Sequence, residues 1–331
     1  MSDFYYENEI NRLARRRRLA MFFTLVIMVI LPVAIFLVDK VGKLAAVSET
    51  SGGSEKPLPM NPFSTISLEA KAAYVYDVHF NKVLFSLNPN EQLPLASLAK
   101  LMTAVVALDY APEYTTITIG GDAIAQEGDT GLRSEEKWNL KDLLKLTLMA
   151  SSNDGAHAIA TALQAINPSI SDEITTTTEP FINQMNEKAR TLGLTQTYFL
   201  NETGLDVDIT KSGAYGTVSD ISNLFAYVLQ KYPDLIAVTK ESKFQIASLD
   251  GKIHTVKNTD SLVDKIPGIL GSKTGFTDLA GGNLVVAYDA SIGRPIVIAL
   301  LGSSREGRFE DMEKLVQASL DFLPLEDELL P

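Results

Sequence analysis

The segment ASLAKLMTAVVAL (residues 96–108) carries Ser97 and Lys100 three positions apart in an otherwise apolar run. Residues three apart on a helix share a face, so hydroxyl and amine can meet there. An amine deprived of water loses its proton readily and can then take one from the hydroxyl, making the serine a nucleophile. The spacing alone is not diagnostic, because Ser-x-x-Lys recurs as Ser134-Glu135-Glu136-Lys137. There two carboxylates would hold Lys137 protonated in a solvated stretch, whereas Leu98, Ala99, Leu101 and Met102 surround Lys100 with apolar surface. Of the two lysines only Lys100 reads as a base. Pro94 and Ser97 suggest a helix beginning near the nucleophile, where the N-terminal dipole would favour an alkoxide and a neutral amine. The structural alternative is a buried lysine stem snorkelling to the surface.

Two further clusters carry polar residues at places where side chains can face a cleft. MASSNDGAHAIA ends one expected helix and opens another, leaving Ser151 and Asn153 at the junction. GILGSKTGFTD runs a strand into Lys273-Thr274-Gly275, which by itself could be an ordinary exposed strand end. Other chemistries find little support. His79, His157 and His254 show no ligand spacing and read as solvated or structural, so no metal is expected. A Gly-x-Ser-x-Gly elbow is missing, and zero cysteines exclude disulfides, thiolate metal sites and a cysteine nucleophile.

In the order Ser-x-x-Lys, Ser-x-Asn, Lys-Thr-Gly, the three clusters together resemble the signature of penicillin-binding proteins and serine β-lactamases. More narrowly, AAYVYDVHFNKVLFSLNPNEQLPLASLAKLMTA, MNEKARTLGLTQTYFLNETGLD and GSKTGFTDLAGGNLVVA are similar to the low-molecular-mass D-alanyl-D-alanine carboxypeptidases, over roughly residues 62–322. The resemblance implies that Ser97 attacks the carbonyl between the two terminal D-alanines of a peptidoglycan stem peptide, through an acyl-enzyme that water then hydrolyses. It implies that Lys100 takes the serine proton, that Ser151 relays it towards the leaving amine, and that Asn153 orients the substrate and Lys100. Lys273 would add positive potential, Thr274 would bond the substrate's terminal carboxylate, and Gly275 would let substrate backbone lie against the strand. The oxyanion would be held by the N–H groups of Ser97 and Phe276. Arg308 is similar to an arginine that some relatives place near that carboxylate, a surface salt bridge being the alternative.

No cofactor is implied, and β-lactam antibiotics would be covalent inhibitors. Three rivals stay open: a D,D-endopeptidase using the same residues on cross-links, a β-lactamase, and a non-catalytic binding module. Glu179 and Asn183 have the Glu-x-x-x-Asn spacing by which one β-lactamase class positions water, but Pro180 reads as a helix start there.

The elements that must position these residues can be read from periodicity. Residues 72–88 read as a hairpin turning at His79, Phe80, Asn81 and Lys82. Leu140, Leu143, Leu144, Thr147 and Leu148 have helical spacing, and Ile221, Leu224, Phe225, Val228 and Leu229 repeat it behind Ser219 as a cap. After residue 242 come a hairpin with an Asp-Gly turn and then short buried strands, before a last helix with Phe309, Met312, Leu315, Val316 and Leu320 on one face. Thr175–Thr178 reads as a short low-complexity loop. The expected class is α+β, with both ends of the domain sharing one antiparallel sheet flanked by helices. The resemblance makes this a β-lactamase/transpeptidase-like fold.

Ahead of this domain, Leu19–Val38 is a run of twenty uncharged, mostly apolar residues behind Arg15, Arg16, Arg17 and Arg18. That length suits a transmembrane helix with residues 1–18 cytoplasmic and the bulk of the chain outside; the resemblance implies that the membrane is a bacterial cell membrane. A cleaved signal peptide, with small residues near Ala45 and Ala46, and a buried core helix are the alternatives. Residues 39–61 read as a Ser/Gly/Pro-rich linker, residues 62–325 as the catalytic domain and 326–331 as a tail. Residues 41–331 carry 23 basic and 37 acidic side chains, a net of −14, which argues against nucleic acid as a partner.

Overall fold

In the computed structural model, which describes residues 61–167 and 177–329, the near-continuous apolar runs after residue 280 are strands covered on both faces. In chain order the strands are β1 (Ala72–Asp77), β2 (Lys82–Leu87), β3 (Leu93–Pro94), β4 (Thr116–Thr118), β5 (Lys137–Asn139), β6 (Tyr198–Phe199) and β7 (Ala214–Gly216). They continue as β8 (Lys243–Ala247), β9 (Ile253–Lys257), β10 (Ile269–Thr277), β11 (Gly281–Asp289) and β12 (Pro295–Ser303). The main sheet has the order β10-β11-β12-β1-β2 and is antiparallel throughout, so the first and last strands of the domain do share one sheet.

Because successive side chains of a strand point to opposite faces, β11 and β12 feed two cores. Val285, Ala287, Val297, Ala299 and Leu301 join the larger core with the helices. Leu284, Val286, Ile296, Ile298 and Leu300 join a second core with Phe63, Met312 and Leu315, the last two from the helix Gly307–Leu329. At the centre of the larger core lies the helix Lys100–Tyr110, whose Leu101, Met102, Ala104, Val105, Val106 and Ala107 are all buried. Helices Leu140–Ala150, Asn153–Ile166, Glu179–Thr191 and Val218–Lys231 pack around it.

Several expectations are corrected. The hairpin β8–β9 forms its own two-stranded sheet; every second residue is exposed and those between are half-buried or, at Val256, buried, a pattern that cannot serve a sheet covered on both faces. Strands β10, β11 and β12 are nine residues each rather than short. Thr217, not Ser219, caps the helix Val218–Lys231, accepting a hydrogen bond from the Asp220 amide. The last helix runs from Gly307 to Leu329. The small pairings β3–β7–β6 and β4–β5 were not anticipated. The expected membrane span at 19–38, the tail 1–18, the linker up to residue 60, the last two tail residues and part of the Thr175–Thr178 loop lie outside the described residues. Among the described residues no helix is long and apolar enough to cross a membrane.

Candidate active site

Ser97 does not lie on the α-helix itself. The chain enters that helix through a 3₁₀ turn, Ala96–Ala99, and the helix proper begins at Lys100. Side chains three apart nearly eclipse in a 3₁₀ turn, so the pair still meets: Lys100 Nζ lies 2.9 Å from Ser97 Oγ. Ala96 takes a left-handed φ of 49°, a conformation costing a non-glycine residue about 1–3 kcal/mol. The turn Asn201–Leu205 packs on this strained residue. Gly204, at φ 78°, approaches so closely that a Cβ there would stand 1.9 Å from Ala96 O.

Lys100 is fully buried, which rules out the snorkelling alternative. Burial pushes its ammonium down to about 7, against an opposing pull from the negative charges of Glu202 and Asp154. Nζ donates to Asn153 Oδ1 at 2.6 Å and to Thr203 O at 2.7 Å. A neutral amine has two N–H bonds and one lone pair. With both N–H bonds taken by those acceptors, the lone pair is left for the Ser97 hydroxyl. The amine is thereby arranged to accept the serine proton.

Ser151 and Asn153 come to this point because one helix stops and another starts between them. Ser151 is the left-handed C-cap of Leu140–Ala150, at φ 58°, and Ser152 caps Asn153–Ile166 by accepting from the Gly155 amide. Asn153 also donates through Nδ2 to Glu127 O at 2.6 Å, which fixes the amide with its oxygen towards Lys100.

The third cluster arrives on β10, the edge strand of the main sheet. Lys273, 2% exposed, donates to Ser151 Oγ at 2.8 Å and to Thr274 O at 2.7 Å. Burial, then the positive charges of Lys100 and Arg308, push its ammonium well below the usual lysine range. Thr274 is buried, with its hydroxyl bonded to that of Thr259. At Gly275 the close approach is to the chain itself: a Cβ would meet Leu95 O at 3.0 Å and Ser97 N at 3.2 Å. The backbone leading to Phe276 is thus held beside the Ser97 amide, with the Arg305 guanidinium 3.6 Å over the Phe276 ring.

Arg308 is not a surface residue. It is 7% exposed, donates from Nη1 to Gly275 O at 2.7 Å and makes no ion pair among the described residues. Its Nε is buried without a hydrogen-bond partner.

The other candidates lie apart from this cluster. Glu179 and Asn183 sit exposed on the helix Glu179–Thr191, and Asn183 lines a cleft of about 710 Å³ that contains none of the residues above. The second Ser-x-x-Lys also needs correction, because Glu136 is fully buried and bonded to His254 Nε2 at 2.7 Å rather than solvated. His157 Nδ1 lies 2.6 Å from Glu202 Oε1, so both these histidines are structural partners of buried carboxylates. Among the described residues no group of three His, Cys, Asp or Glu side chains could hold a metal ion. Sequence reasoning missed Glu127, Thr203 and Gly204; only the Asn-x-x-Gly turn signal at 201–204 pointed to the last two.

The model of the D-alanyl-D-alanine carboxypeptidase family matches residues 59–304. D-alanyl-D-alanine carboxypeptidase DacC of Escherichia coli (strain K12) is 31% identical over 263 residues, covering 76% of this chain. The match spans 61% of that relative's own length. A D-alanyl-D-alanine endopeptidase from the same organism is 28% identical over 277 residues, 82% of this chain and 81% of its own. Penicillin-binding protein D2 of Listeria monocytogenes, solved in an ampicillin-bound form, superposes with a TM-score of 0.63 at 28% identity, over 76% of this chain and 98% of its own.

Proposed function

Given that the chain belongs to the D-alanyl-D-alanine carboxypeptidase family of low-molecular-mass penicillin-binding proteins, we propose that it removes the terminal D-alanine from peptidoglycan stem peptides. The observation that carries this reading is the buried Lys100 amine, its N–H bonds engaged by Asn153 and Thr203 and its third position turned to Ser97 Oγ.

Ser97 Oγ attacks the carbonyl carbon of the penultimate residue while its proton passes to Lys100 Nζ. The negative oxygen so formed is stabilised by the N–H groups of Ser97 and Phe276. As the C–N bond breaks, a proton reaches the leaving amine through Ser151, whose hydroxyl Lys273 holds. Water then cleaves the ester and frees Ser97. Thr274 on the edge strand and Arg308, which reaches Gly275 O from the last helix, bind the terminal carboxylate of the substrate.

A β-lactam, whose amide mimics the attacked bond, would acylate Ser97 in the same way. Twenty uncharged residues behind four arginines support an anchor at Leu19–Val38 that holds the enzyme on the outer face of a bacterial cell membrane. A second reading, an endopeptidase acting on D,D cross-links, is favoured by the relative of that name. Mass spectrometry of purified muropeptides tests both: loss of one alanine from pentapeptide monomers supports the first, and conversion of cross-linked dimers to monomers the second. Loss of neither would overturn the proposal.

A further inference from the structure

The residues around Lys100 do not account for a buried carboxylate–histidine pair in the adjoining turn. Glu202, 3% exposed, stands in the turn whose next carbonyl, Thr203 O, receives the Lys100 amine. Three bonds lock it: Oε1 to His157 Nδ1 at 2.6 Å, Oε2 from Thr178 Oγ1 at 2.8 Å, and its main-chain oxygen from Thr103 Oγ1 at 2.6 Å. These contacts come from two helices and from the residue that precedes a third, so the turn is pinned from several sides. His157 also faces Asp122, its Nε2 lying 3.5 Å from that carboxylate.

We propose that Glu202, held by His157, is a positioning residue: it fixes the Thr203 carbonyl on Lys100 and supplies a buried negative charge that governs how readily the amine gives up its proton. This rests on the reading of Lys100 as the base. The groups facing Lys100 are Glu202, Asp154 on the helix Asn153–Ile166 and Lys273 on β10. The two carboxylates favour the ammonium and oppose the burial that drives it neutral. Glu202 exerts the larger of those two opposing pulls. Burial would raise its own carboxyl, but the hydrogen bond from His157 and those from the backbone and Thr178 hold it below the usual range, so it is ionised at neutral pH. The Glu202 bond in turn raises His157 above its ordinary value.

Two readouts on the full-length chain separate this inference from the proposed function. One is the pH profile of acylation by a fluorescent penicillin. The other is the ¹³Cε shift of Lys100 in lysine-labelled protein, assigned with Lys100→Arg, which needs no turnover. In Glu202→Gln both midpoints move to lower pH by about one unit, making the amine on the order of tenfold more neutral at acidic pH. Glu202→Asp, which keeps the charge, returns the midpoint towards wild type. Should Glu202→Gln fail to fold, His157→Asn changes the partner that holds Oε1, and the Lys100 midpoint moves. An unmoved Lys100 midpoint in the folded variant overturns the inference, whatever happens to the rate. A wild-type chain that no penicillin acylates overturns the proposed function instead, while the ¹³Cε titration still decides this one.

Discussion

Ser97 and Gly275, 178 positions apart in the chain, lie so close that a Cβ on residue 275 would stand 3.2 Å from the Ser97 amide nitrogen and 3.0 Å from Leu95 O. That approach sets the spacing between the nucleophile and the edge strand that must present the substrate. Gly275→Ala forces the strand away by a few tenths of an ångström. The expected result is penicillin acylation slowed by roughly 10–100-fold with the melting temperature lowered little, since reactive geometry is lost before packing. Stopped-flow acylation and calorimetry on the same variant check it.

Gly204 gives the opposite balance. Its φ is 78° and a Cβ would stand 1.9 Å from the Ala96 carbonyl, backbone that cannot yield. Gly204→Ala therefore destabilises the domain, by about 3 kcal/mol or more, through combined strain and clash. Denaturant unfolding reads this directly, and a change under about 1 kcal/mol would contradict the description of this turn.

The pH dependence of acylation follows from Lys100. A base must be neutral to accept a proton, and this amine titrates at about 7, so the rate rises with pH through that value. Stability follows the same group. Its value drops from 10.5 to about 7 on folding, so between those values the unfolded chain binds more protons. Folding stability contributed by this group accordingly rises with pH across that window and is at its lowest below 7. Comparing wild type with Lys100→Met by urea unfolding from pH 6 to 10 should show wild type gaining on the variant as pH rises. A flat difference would mean that Lys100 keeps an ordinary ammonium.

Ser151→Ala removes the hydroxyl that Lys273 holds at 2.8 Å, with no change to either helix it joins. Turnover of a D-alanyl-D-alanine peptide should fall by about 10²–10⁴, the usual worth of a proton relay, with circular dichroism unchanged. Activity within threefold of wild type would remove Ser151 from the mechanism.

Much of this site was legible in the chain because its side chains have distinctive types at short spacings. Ser97 and Lys100 are local, and Ser151 with Asn153 falls at a helix junction that periodicity locates. What escaped has physical reasons. Thr203 and Glu127 act through carbonyl oxygens, which every residue has, so no residue type marks them. Glu202 and His157 are 45 positions apart, and a single sequence contains no signal that two such residues meet. The main sheet was readable because β11 and β12 are apolar on both faces, whereas β3 and β6 have two residues each, too few for any period to show. For Arg308, in an acidic stretch, residue type alone left a carboxylate-binding role and a surface salt bridge both open; its burial depends on how the last helix lies against the end of β10.

The central claim is that a buried, neutral-competent amine makes Ser97 the nucleophile, and intact-protein mass spectrometry after a brief exposure to benzylpenicillin addresses it most directly. One penicilloyl adduct per chain should appear, map to the peptide containing Ser97, vanish in Ser97→Ala and form at least a hundredfold more slowly in Lys100→Met. An adduct that persists in Ser97→Ala, or one that forms at the wild-type rate without the Lys100 amine, would contradict the account.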